Sequence, residues 1–153
     1  MELKTVKTPC VGICSTGIGD EVCRGCKRFS HEVIHWNGYD YEQKALIESR
    51  LVGLLTQIIR NKFEIVDEGL MRWQIDQQPI EVPLHRDLYC QAYTLIKAGA
   101  SQISDPAEFG FRVLPASTHK DLKTLCFDID TEYYALSVAH YQRCFVDFGS
   151  RSA

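Results

Sequence analysis

Four cysteines within 17 residues constrain this chain more than any other feature of its sequence. They are Cys10, Cys14, Cys23 and Cys26, spaced Cys-x3-Cys-x8-Cys-x2-Cys within PCVGICSTGIGDEVCRGCKR. Two pairs of thiols joined by a short loop can set four sulfurs around one point without help from the rest of a fold. In Cys23-Arg24-Gly25-Cys26 the two-residue separation lets both thiolates chelate one centre. Gly25 permits the tight turn between them, and the backbone N–H groups that follow can point at the sulfurs. The pattern predicts a metal knuckle whose ligands are Cys10, Cys14, Cys23 and Cys26. A tetrahedral thiolate set suits either Zn2+ or an iron–sulfur centre, so ligand identity leaves the metal open. Four thiolates carry four negative charges, which a divalent ion only half neutralises, and Arg24, Lys27 and Arg28 are electrostatically sensible neighbours.

The chain has seven cysteines in all, an odd count that does not suit a closed disulfide framework. Its opening stretch MELKTVKTPC has no apolar core of the kind an export signal needs, and no apolar run approaches the roughly 18 residues that span a bilayer. These features predict a cytoplasmic protein, and in a reducing compartment clustered cysteines point to metal rather than to disulfides. Cys90, Cys126 and Cys144 stand alone in apolar helical patterns, where cysteine is expected to behave as a small buried hydrophobe.

With 153 residues the chain can bury one ordinary core. The expected organisation is a cysteine-rich metal-binding knuckle over residues 1–38 and a helical domain over 39–153. The fold class is mainly α, with room for one or two short strands. Ser30 stands where an N-cap would precede a short helix from His31 to about Trp36, which Asn37-Gly38 ends. Asp40 with Gln43 has the form of a capping box, and Leu46, Ile47, Leu51, Leu54, Leu55, Ile58 and Ile59 recur behind it at helical spacing to about residue 62. Residues 63–78 are read as a short helix, although Phe63, Ile65 and Val66 would also suit a strand. A further helix is expected around Leu88 to Gly99, an extended piece around Phe109 to Leu114, and a last helix from Ser117 or Thr118 to about Phe145. Its stripe is read as Leu122, Leu125, Cys126, Ile129, Tyr133, Leu136 and His140.

The stretch PCVGICSTGIGDEVCRGCKRFSHEVIHW resembles the bacterial family catalogued as domain of unknown function 1289, often labelled iron–sulfur proteins. The resemblance covers about residues 9–55. Its four cysteines fall on Cys10, Cys14, Cys23 and Cys26, its Pro-Cys opening on Pro9-Cys10, and its short helix ending in tryptophan on Ser30 to Trp36. Where the family commonly has glycine after the fourth cysteine and arginine before the tryptophan, this chain has Lys27 and His35. The resemblance implies an iron–sulfur centre and says nothing of the remaining two thirds of the chain.

No nucleophile, phosphate-binding or metalloprotease motif accompanies the cysteines. His31 and His35 share one helix at a spacing used in metal sites, but a complete four-thiolate set leaves them no vacancy, and a surface or packing role is expected. The cluster of Asp128, Asp130 and Glu132 reads as the charged outer face of a helix. Residues 1–62 carry nine Lys/Arg against seven Asp/Glu, and residues 63–153 eight against thirteen. That balance disfavours a general nucleic-acid binder. The first expectation is therefore a non-enzymatic adaptor or regulatory protein, whose metal orders a glycine-rich loop so that Arg24, Lys27 and Arg28 meet a protein partner. The second is an iron–sulfur electron-transfer component, and the third an RNA-contacting zinc-knuckle module.

Overall fold

The computed structural model describes residues 5–147. It is mainly helical, with five α-helices and one two-stranded sheet among the described residues. Among the described residues no helix is long and apolar enough to cross a membrane. The chain divides into two compact units: the described residues up to Leu51 together with those from Glu132 form one, and Val52–Thr131 form the other.

In the first unit, helix α1 spans Ser30–His35, so Ser30 is the first helical residue and Phe29 takes the N-cap position expected of Ser30. The helix starts there because Phe29 N–H donates to Glu32 Oε1 at 2.8 Å, the N3 half of a capping box. A short 3-10 turn, Trp36–Gly38, follows. Helix α2, Tyr41–Arg60, begins in this unit and continues past Leu51 into the other, and it opens on the capping box read from the sequence: Asp40 N–H donates to Gln43 Oε1 at 3.0 Å, and Gln43 N–H to Asp40 Oδ1 at 2.8 Å. Glu32, almost fully buried, is held by a bidentate pair with Arg50, at 2.6 and 2.7 Å. The same guanidinium lies 4.1 Å from the centre of the Phe29 ring. A buried carboxylate is tolerable only when paired and hydrogen-bonded, and these contacts meet that need. Val22, Phe29, Trp36, Ile47, Leu51 and Tyr133 are buried here, with Tyr133 O–H donating to the Leu51 carbonyl.

In the second unit, Phe63–Ile65 form strand β1 and Glu68–Gln77 helix α3, so the segment read as one helix holds both candidates in succession. Asp67 separates them by capping α3 through Leu70 N–H. β1 pairs antiparallel with β2, Phe111–Val113, in the register Phe63 to Val113 and Ile65 to Phe111. Gly110, just before β2, has φ +78 and could not carry a Cβ without meeting the Asp67 carbonyl. Helix α4, Leu88–Gly99, is capped by Asp87 and packs on α3. Phe63 and Phe111 meet edge to face at 5.6 Å, and Met71, Ile96, Leu125 and Ile129 are buried.

Helix α5 spans Leu122–Tyr141, its first half in the second unit and its second half in the first. It begins later than the expected Ser117, because Pro115–Ser117 make a separate 3-10 turn and the true cap is Asp121, which accepts from Thr124 N–H at 2.7 Å. Past Tyr141 the helix loosens into a π-helical segment, Gln142–Asp147. Three stripe assignments are corrected: Leu46 is 72% exposed, Leu136 is 42% exposed, and His140 is exposed as well. Cys90 and Cys126 are buried as expected, but Cys144 is exposed, because the apolar stripe ends before the π-helical segment that carries it.

The Glu32–Arg50 pair yields a stability prediction. Arg50→Met strands a buried carboxylate and should cost about 3 kcal/mol, the low end for a broken buried pair, since the Arg50 side chain is 27% exposed. Urea unfolding measures this, and a change below about 0.5 kcal/mol would show that the pair is only a surface contact.

Candidate metal centre

Cys10 and Cys14 lie on an exposed loop, and Cys23 and Cys26 are buried. In the first loop Gly12 has φ +91, and its N–H donates to Cys10 Sγ at 3.4 Å. Cys14 Sγ stands 3.0 Å from Thr16 Oγ1, at the start of a 3-10 turn, Ser15–Ile18, that Gly19 closes.

The second pair sits in a hairpin. Val22 and Phe29 form an antiparallel bridge, Cys23 N–H donates to the Arg28 carbonyl at 2.9 Å, and Lys27 N–H returns to the Cys23 carbonyl at 2.9 Å. Closing this turn puts Lys27 at φ +66, the one positive φ outside glycine among the described residues. A left-handed conformation costs a side-chain-bearing residue roughly 1–2 kcal/mol. Glycine at this position would avoid that cost. Here the Lys27 ammonium folds back to donate to the carbonyls of Arg24, at 2.5 Å, and Gly25, at 3.1 Å, and stands 5.3 Å from the centre of the Tyr133 ring.

The two cysteine loops lock together at Gly25. A Cβ there would lie 2.6 Å from the Ile13 carbonyl oxygen and 2.8 Å from Val11 Cγ2, so only glycine lets the backbones approach. Arg24 N–H donates to Ser15 Oγ at 2.8 Å, and the Cys23 thiol donates to the Ile13 carbonyl at 3.5 Å. Ser15, buried although polar, was missed in the sequence reading, where it is one more small residue in a glycine-rich loop.

Burial alone would raise the Cys23 thiol, but the backbone N–H groups of Cys26, Ser15 and Gly25, together with the Cys26 side chain, outweigh it and bring it down to about 7. For Cys26 burial wins and the thiol is raised, although Arg28 Nε–H donates to its sulfur at 3.3 Å. The pair is thus asymmetric, Cys23 giving up its proton more readily than Cys26. Among the described residues, no three His, Cys, Asp or Glu side chains converge into a group ready to hold an ion.

The basic neighbours are not where a partner could reach them all. Lys27 and Arg28 are buried, at 2% and 4% exposure, whereas Arg24 faces outward, pairing with Asp20 and stacking on Tyr134. The reason is that their stems complete the core around the hairpin, with the Arg28 guanidinium 4.9 Å from the centre of the Trp36 ring. What the first loop turns outward is apolar: Val11, Ile13 and Ile18 are exposed. His31 packs against Phe29 and Phe145, at 5.9 and 5.0 Å between ring centres, and His35 is exposed. The donor chemistry of the two loops is soft thiol sulfur with N–H groups already aimed at it, which fits Zn2+ or an iron–sulfur centre and does not fit a hard oxygen-seeking ion.

The family model described as "Protein of unknown function (DUF1289)" matches residues 8–53, a segment that contains all four cysteines of the two loops, α1 and most of α2. No curated protein and no solved structure matches the chain.

The lowered Cys23 thiol predicts the pH response of the metal-free protein. A group whose folded value of about 7 lies below its ordinary 9.0 adds stability that is complete above pH 9 and is lost as pH falls through 7. Above pH 9 the sign reverses, because Cys90 and Cys126, pushed up to about 11 by burial, must stay protonated to remain folded. In chelator, the stability advantage of wild type over Cys23→Ala should therefore be larger at pH 9 than at pH 7, read from urea midpoints. An equal advantage at both would contradict the assignment.

Proposed function

We propose that Cys10, Cys14, Cys23 and Cys26 hold one metal centre, Zn2+ or iron–sulfur, and that the protein is a non-enzymatic adaptor whose metal orders the two loops for contact with a protein partner. The observation that carries this reading is the approach of the two cysteine loops at Gly25, with the Gly12 N–H donating to the Cys10 sulfur and the Arg28 Nε–H to the Cys26 sulfur. Such donors stabilise thiolates, the form that binds metal. The interlock of Val11 and Ile13 with Gly25 holds the two loops against each other, and binding would require the exposed Cys10 and Cys14 to be brought to Cys23 and Cys26. Residues 9–38 hold few apolar side chains of their own, and the metal would supply the missing order, coupling the folding of that stretch to metal binding. The exposed Val11, Ile13 and Ile18 are the surface such order would present. An electron-transfer role is the second reading if the metal is iron. Colour separates the two: brown protein with charge-transfer absorption supports iron, and a colourless zinc-loaded preparation removes the redox reading.

Single substitution by serine at Cys10, Cys14, Cys23 or Cys26 should abolish stoichiometric metal or weaken it by orders of magnitude, because a hydroxyl is a hard, protonated donor. Alanine at Cys90, Cys126 or Cys144 should leave metal content unchanged, at a cost of at most about 1–2 kcal/mol for the two buried ones. Elemental analysis of each purified variant tests this. Metal loss at a distal cysteine with helicity intact would mean that the centre draws a ligand from outside the two loops.

A further inference from the structure

Arg28 is tied to both cysteines of the hairpin at once. Its carbonyl accepts the Cys23 N–H at 2.9 Å, and its Nε–H donates to Cys26 Sγ at 3.3 Å. The side chain is almost completely buried, and its guanidinium plane is steadied 4.9 Å from the centre of the Trp36 ring, itself buried. Arginine is always charged, and a buried guanidinium gives a directional, charge-assisted hydrogen bond that a neutral donor cannot match. Solvent cannot screen it here.

Resting on the four-cysteine reading above, we propose that Arg28 is the positioning residue of the centre: its Nε–H fixes the Cys26 sulfur and supplies the buried positive charge that a four-thiolate site lacks. Outer hydrogen bonds of this kind orient metal ligands, and their loss typically weakens metal binding about 10–100-fold. Arg24, equally close in sequence, is the internal contrast, because its side chain is exposed and bonded to Asp20 instead of a sulfur.

The test uses the full chain with Trp73→Phe as background, which leaves Trp36 as the one tryptophan emitter. Arg28→Met, Arg28→Lys and Arg24→Met are compared by Zn2+ chelator competition and by the thiolate-to-metal charge-transfer band of Co2+-loaded protein. Arg28→Met should raise the Zn2+ Kd about 10–100-fold and move the Co2+ band to lower energy, because a sulfur without its donor holds its electrons less tightly. Arg28→Lys should retain part of the affinity but show the same band shift, since lysine keeps the charge and loses the fixed Nε–H. Arg24→Met should match the background protein in both. Trp36 emission and far-UV circular dichroism report whether each variant is folded, and if Arg28→Met does not fold, Arg28→Lys decides through its band. Unchanged Kd and band in a folded Arg28 variant would overturn the proposal while leaving the metal centre standing. Failure of the background protein itself to bind Zn2+ or Co2+ or to take up iron would overturn the four-cysteine reading and this inference with it.

Discussion

The close approach of two backbone loops at Gly25 is the constraint on which the candidate centre depends. With the Ile13 carbonyl and Val11 side chain where a Cβ would stand, the Cys10–Cys14 and Cys23–Cys26 segments can share one location only because residue 25 has no side chain. The hydrogen bond from Arg24 N–H to Ser15 Oγ and the contact of the Cys23 thiol with the Ile13 carbonyl follow from that approach. So does the burial of Cys23 and Cys26, which makes their chemistry sensitive to a few donors in place of bulk water.

A second layer of polar contacts anchors this arrangement within its own unit. Phe29, which closes the hairpin by its bridge to Val22, caps α1 through Glu32, and Arg50 of α2 clamps Glu32 while covering the Phe29 ring. Lys27 and Arg28 fill the space beneath the hairpin with cationic side chains whose heads are met by backbone carbonyls, a sulfur and aromatic rings. Buried charge of this kind is costly unless satisfied, and here each head has a named partner.

Much of this was legible in the sequence, for physical reasons that differ by element. The Asp40–Gln43 capping box and the start of α2 were readable because both partners lie within one turn, and the caps that matter are local. Strand β1 was not separable from α3, because its partner strand is 48 residues away and three residues carry no period of their own. The start of α5 was misread because Ser117 and Thr118 look like caps while Asp121 does the capping. The four cysteines could be singled out by spacing alone. The burial of Lys27 and Arg28 could not, since charged side chains beside a metal loop are ordinarily exposed, and only the left-handed turn at Lys27 and the Trp36 ring draw them inward. The Glu32–Arg50 pair spans 18 residues and two helices, beyond any local pattern.

The measurement that most directly tests the account is X-ray absorption at the metal edge of the protein as purified. A centre held by Cys10, Cys14, Cys23 and Cys26 requires a first shell of sulfur alone, four sulfurs at about 2.3 Å if the metal is zinc. A shell containing nitrogen or oxygen would show that a histidine or carboxylate has displaced a thiolate, and would contradict the four-cysteine centre.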